Sequence, residues 1–189
     1  MVLRRFVVLV LMSVSGAAFA DSFDLNLSNT AAQFQYAVPS GVSVQGKAEL
    51  YASFFYNNAN TLLGTAGFRV LNSQINGVSI GVGVEGLLAT IKDNPDVRSN
   101  ASAIALAGQV RFTPPGMEQL GLVGEVHYAP SIITYGDATR YSQFDARVEF
   151  ALSPQTLVYA GYRQINFGIR NQPDATPDNG GHIGVKFSL

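Results

Sequence analysis

The pattern with the most obvious chemistry in this chain is the pair Glu125 and His127 in "GEVHY". Residues two apart on an extended strand share a face, so the carboxylate and the imidazole point the same way. A carboxylate can hold an imidazole in one tautomer and aim it at a hydroxyl, as in an acyl-transfer triad, and Ser142 is a hydroxyl that a neighbouring strand could bring to a similar height. The plainer reading is a satisfied hydrogen-bond network. It is preferred here, because spacing alone does not bring a base within hydrogen-bond reach of its partner. The other histidine is His182, and the chain has no cysteine. Two histidines without thiols make a dedicated transition-metal site improbable, so no catalytic residue, metal site or cofactor is assigned. The run "GVGVEG" at 81–86 superficially resembles a phosphate loop, but no strand-to-helix context follows it.

The elements that would position these groups are strands. Of the 189 residues, 1–20 read as a signal peptide: Arg4 and Arg5 precede the apolar run Phe6 to Val14, and "AFA" at 18–20 offers small residues for cleavage near Ala20. The remaining 21–189 read as one domain. Without Arg4 and Arg5 the balance is ten Lys and Arg against thirteen Asp and Glu, a formal charge of −3, which offers no basic footprint for nucleic acid. An exported chain without cysteine must also hold its fold without disulfides.

Period-two segments bounded by Gly, Pro, Asn or Asp recur at 22–28, 31–38, 43–56, 60–71, 77–91, 101–113, 117–130, 141–152, 155–168 and 180–189. Most of them sort into a purely apolar face and a mixed face. In "QFDARVEFAL" Phe144, Ala146, Val148, Phe150 and Leu152 oppose Asp145, Arg147 and Glu149. The mixed faces combine small residues with Lys47, Glu49, Arg69, Glu85, Arg111, Glu125, Asp145, Arg147, Glu149, Arg163 and Lys186, six cations and five anions. Near-balanced charge beside glycine and alanine suits a crowded polar bore. The expectation is that Arg69, Arg111, Arg147 and Arg163 pair with Glu49, Glu85, Glu125, Asp145 and Glu149 to plug it.

Aromatic residues on the apolar faces gather at strand ends. Phe68, Phe112, Phe150 and Phe187 fall toward the end bearing the C-terminus, and Phe54, Tyr56 and Tyr128 toward the other. Two such bands are the lipid-interface girdles of a transmembrane barrel, although tryptophan is absent. The connections agree: 39–42, 71–76, 113–118 and 153–155 are short, as periplasmic turns are, whereas 92–100, 130–140 and 170–181 read as longer outer loops. "NNAN" at 57–60 departs from that trend. The fold class expected is therefore all-β, a single antiparallel transmembrane up-and-down β-barrel, with ten strands favoured and eight the alternative. The short segment 22–28 is expected to pair only in part.

The segment "GEVHYAPSIITYGDATRYSQFDARVEFALSPQTLVYAGYR" at 124–163 resembles the YfaZ family of small outer-membrane proteins. The shared elements are Gly124, Glu125, Tyr128 and Pro130; Ala146 and Arg147; and Ala160, Gly161, Tyr162 and Arg163. The resemblance implies a bacterial outer-membrane β-barrel and no defined activity. The last strand, with Ile183, Val185, Phe187 and Leu189 on one face, resembles the strand by which such barrels meet the barrel-assembly machinery, with Leu189 where an aromatic is usual.

The leading functional expectation is a monomeric, non-enzymatic barrel of the outer membrane, in contact with its lipid and lipopolysaccharide, with a plugged bore and a role in envelope structure or surface interaction. Ile132, Ile133 and Tyr135 form the apolar group in its outer loops. A narrow porin-like channel is the alternative. Behind it come a soluble lipocalin-like carrier, in which the apolar faces would line a cavity, and a lipid A-modifying enzyme. The local signatures of barrel enzymes, a His-x-Ser near the chain end or an acidic dyad with a partnered histidine, are missing.

Overall fold

The computed structural model describes residues 21–42, 46–72, 76–94 and 97–189, and the signal-peptide expectation for 1–20 lies outside them. The strands are β1 (Ser22–Ser28), β2 (Ala31–Pro39), β3 (Lys47–Asn57), β4 (Leu62–Leu71), β5 (Val78–Asn94), β6 (Val97–Phe112), β7 (Leu120–Ala129), β8 (Thr134–Gly136), β9 (Ala138–Ala151), β10 (Thr156–Ile169) and β11 (Ala175–Ser188). Ten of them close into an antiparallel barrel, and the seam is β1 on β11. Strand β1 pairs along its whole length with β11 and nearly so with β2, so its shortness does not leave it partly unpaired. The eight-strand alternative is thereby set aside.

Three stretches expected to be outer loops are ordered in other ways. Strands β5 and β6 continue to Asn94 and from Val97, so most of 92–100 is hairpin. Strand β11 begins at Ala175, inside the expected loop 170–181. Between β7 and β9 a single 3-10 turn at Ser131–Ile133 leads into β8, which adds to the flank of β6 at Ala101–Ala103. These extensions were hidden from a period-two reading because "TPDNGG" and "KDNPDV" carry turn residues; the backbone pairing that makes them strands comes from a neighbour. The tight turn at 57–61 is made by asparagine, with the Asn57 side-chain carbonyl accepting from the Thr61 N–H at 2.8 Å and Asn60 at φ 63°.

The period-two faces sort as polarity predicts for a lipid-bathed barrel. Val82 (63% exposed), Leu88, Leu106, Val126, Val148 and Ile183 point outward, while Glu85, Asp145, Glu149 and Arg163 point in and are buried. The soluble-carrier alternative needs the reverse, and the bore has no such apolar lining below its loop end. Of the aromatics, Phe54, Tyr56, Tyr128, Phe150 and Phe187 are exposed on the outer wall; Phe68 and Phe112 are half-buried there. Phe112, Phe150 and Phe187 stand at or next to the ends of β6, β9 and β11 at the terminal rim, and Tyr128 next to the opposite end of β7.

Inside, the molecule has two layers. At the loop end Phe55, Leu63, Leu87, Ile91, Tyr141, Ile165, Phe167 and Ile169, with a surround of alanines, form one contiguous buried core, and Asn57, Thr61 and Ser99 are buried at the same end. The rings of Tyr141 and Phe167 lie 4.9 Å apart, and Ile133 packs onto the cluster from the 3-10 turn. Above the short β1–β2 hairpin the wall is completed by β3 meeting β11, where the Asn57 amide donates to the Pro177 carbonyl at 2.8 Å. Toward the chain termini the bore becomes ionic.

Ile183 lies four residues from Phe187 along β11, which is about 13 Å of strand and near the middle of an apolar band about 25 Å tall. Ile183→Arg should destabilise the barrel refolded in lipid vesicles by about 2–4 kcal/mol in a urea titration. Ile132→Arg, in the exposed 3-10 turn, should change the same titration by less than about 0.5 kcal/mol.

Candidate functional site

The ionic layer is built by alternate residues of β3 to β11, each of which the pleat turns inward. Its centre is Arg147 on β9. Nη1 stands 3.0 Å from Glu125 and 3.0 Å from Asp145, and Nε 2.9 Å from Glu149. Two of these partners flank Arg147 on its own strand face, and Glu125 comes from β7, whose register sets it opposite Asp145. Arg69 joins the cluster from β4, with Nε 2.7 Å from Glu49 and Nη1 3.5 Å from Glu125. Arg111 reaches Glu149 from β6.

Two partnerships differ from the sequence expectation. Arg163 pairs with Asp178 on β11 at 2.7 Å, and also donates to Gln33 across the bore. Asp178 was hidden inside a stretch that reads as loop. Glu85 pairs with no arginine: it accepts from the Tyr51 hydroxyl at 2.8 Å and meets His127 Nδ1 at 2.9 Å. Lys47 is exposed at the terminal rim, and Lys186 makes no ion pair within 4 Å among the described residues.

Both histidines are inward, buried and within 4 Å of carboxylates. His127 bridges Glu85 and Glu125, the latter at 3.5 Å; His182 lies 2.9 Å from Asp145 and takes the Asn26 amide at 2.6 Å. Ser142 is not a triad partner. The register places it opposite Tyr128, on the outward face, and sets Gln143 opposite His127. Ser142 therefore faces away from the Glu125–His127 pair. Among the described residues no group of three His, Cys, Asp or Glu side chains forms a metal site.

Aromatic side chains that the mixed-face pattern did not single out support the arginines. Arg69 lies over the Tyr51 ring at 5.1 Å, Arg147 over Tyr159 at 5.4 Å, and Arg163 over Phe55 at 5.3 Å. Tyr51 and Tyr159 lie flat because their cross-strand partners are Gly67 and Gly184. A Cβ at Gly67 would come within 2.6 Å of the Tyr51 ring, and one at Gly184 within 2.2 Å of the Tyr159 ring. The Tyr159 hydroxyl then donates to Asp24 on β1. The visible signal for this device is an inward tyrosine paired with a glycine, and it requires knowing the register.

A cavity of about 390 Å³ runs along the belt, lined by polar groups from all around the barrel, the belt residues Arg69, Glu125, Arg147 and Arg163 among them. It reaches the terminal rim at Ser153–Thr156 and Ser188, and the apolar core, whose Leu63 meets it, lies between it and the loop end.

Because Arg147 holds three carboxylates at once, Arg147→Met leaves them facing one another in a buried site. The expected cost is about 3–5 kcal/mol in the urea midpoint of the vesicle-inserted barrel, followed by its heat-dependent gel mobility. Arg140→Met, which removes an ion pair to Asp174 with both side chains more than half exposed, should cost less than about 1 kcal/mol.

The folded chain is similar to a NanC porin solved in a rhombohedral crystal form, with a TM-score of 0.50 and 11% identity over 91% of this chain and 100% of that one. It also aligns with a KdgM porin (TM-score 0.44, 9% identity, 90% and 99% covered) and with the outer membrane channel DcaP of Acinetobacter baumannii (0.45, 8%, 89% and 61%). The first likeness places the fold among porin-like barrels. No curated protein matches the chain. The model of one family, described as YfaZ precursor, matches residues 3–189, nearly the full length, and the chain therefore belongs to the YfaZ family.

Proposed function

We propose that this protein is a monomeric outer-membrane barrel whose bore is shut at rest, serving envelope structure or surface interaction through its loop end. The observation that carries this reading is the apolar core at the loop end, where Phe55, Tyr141, Ile165 and Phe167 are at most 1% exposed. A hydrated ion entering that layer would shed its water with nothing to replace it, at a cost on the order of tens of kcal/mol in the dry limit. Beneath the core, Arg163, Arg147 and Arg69 and their carboxylates span the bore as a second barrier.

The outward faces suit bilayer contact, with the exposed phenylalanines and tyrosines as lipid-interface anchors and lipopolysaccharide as the neighbour at the loop end. Insertion through the barrel-assembly machinery by way of β11 fits its outward row of Ile183, Val185 and Phe187. At the loop end Ile132 and Tyr135 are 82% and 58% exposed, whereas Ile133 is taken up by the core. They are the apolar side chains available to a surface partner.

A narrow porin-like channel is the second reading, favoured by the polar cavity that occupies the other half of the bore. Planar-bilayer recording separates the two. The unmodified barrel should insert without a steady open level, and the double variant Phe55→Ala/Phe167→Ala should show one, because it removes two of the three rings of the core. A steady conductance from the unmodified protein would overturn the closed reading in favour of the channel.

A further inference from the structure

We infer that the cavity at the terminal end is a binding cup for a small hydroxylated anion, entered from the side of the membrane that holds the chain termini. Three observations carry this. The carboxylates lining the cavity are all engaged: Glu149 by Arg111 and Arg147, Glu125 by Arg69, Arg147 and His127, Asp145 by Arg147 and His182, Glu85 by Tyr51 and His127, and Asp24 by the Tyr159 hydroxyl. Among the described residues the lining cation without an ion pair within 4 Å is Lys186, which stands opposite Asp24 in the β1–β11 register and lines the same cavity as Arg69, Arg111 and Arg147. A half-buried ammonium without a contact ion pair gains from an added negative charge.

Across the cavity, Arg111 keeps its side chain 34% exposed while using Nη1 on Glu149, so further N–H donors remain for a ligand. Two residues along the same strand face, the Gln109 side-chain carbonyl is buried without a hydrogen-bond partner among the described residues. An orphaned acceptor that lines a cavity calls for a donor, and a ligand hydroxyl supplies one. Lys186 and Arg111 stand on β11 and β6, four strands apart around the wall, so one molecule held between them would lie across the bore. Hydroxyl and amide groups, including Gln35, Ser79 and Gln143, make up much of the remaining lining, which suits a polyhydroxylated body, and Leu71 and Leu157 stand among them. About 390 Å³ is within the range of pockets that hold small organic ligands.

The cup opens away from the apolar core, so it holds whether or not the barrel conducts. Lys186 can be replaced without leaving a carboxylate alone, since Asp24 retains Tyr159 and Glu49 retains Arg69.

The test uses gluconate, with sorbitol as a polyol of nearly the same shape and no charge, titrated calorimetrically into the detergent-solubilised barrel. Gluconate should bind saturably, sorbitol should not compete, and Lys186→Met should weaken gluconate by about tenfold or more while its heat-dependent gel mobility is retained. A second measurement does not depend on that variant folding. The chain has no cysteine, so Ser79→Cys places a single thiol on the cavity wall. A sulfonate-bearing methanethiosulfonate should modify it faster than a trimethylammonium-bearing one, and gluconate should protect it. Absent gluconate binding, equal binding of sorbitol, or faster modification by the cationic reagent would overturn the assignment.

Discussion

Strand β1 lies against β11 along its whole length, with Phe23 opposite Phe187 and Ser28 opposite His182, and every other feature of the molecule depends on that seam. In hydrocarbon an unpaired backbone N–H or C=O costs several kcal/mol, so a sheet in a membrane must have no edge. Closure gives each strand of the wall two neighbours. It also divides all side chains into two populations, because the pleat leaves only outward and inward positions. A strand that slipped by one residue would carry its valines into the bore and its charges into lipid.

With closure given, the inward charges are forced together. A barrel of this size is filled by its own side chains. Guanidiniums removed from bulk water persist only where carboxylates and hydrogen bonds replace the lost hydration. Arg147 meets this demand with three acids, Arg69 with two, and both lie over tyrosine rings that glycines on the next strand allow to lie flat. The same packing sets both histidines beside carboxylates, which makes them structural members of the belt.

The division of the bore into an apolar loop end and an ionic middle has a mechanical consequence. The apolar core ties the loop ends of β5, β6, β9 and β10 together. The end of β3 reaches β11 over the short β1–β2 hairpin by the Asn57–Pro177 hydrogen bond, and Arg163 links β10 to Asp178 of β11 and to Gln33 of β2.

Alternation in segments such as "QFDARVEFAL" was enough to determine the all-β class, ten wall strands and which face of each meets lipid, because period two and polarity are local properties of a chain. Partnership was not local. Arg163 chose Asp178 over the expected glutamates, Glu85 chose Tyr51 and His127, and Ser142 proved to face away from His127, since register is fixed by hairpin geometry and by shear around the whole barrel. The apolar core was likewise illegible: Phe55, Leu63 and Phe167 sit on mixed faces that read as polar. Only the stacking of ten such faces, at one height, brings those residues into a single buried layer. Sequence thus decided the direction of each side chain, and tertiary structure decided its height in the bore and therefore its neighbours.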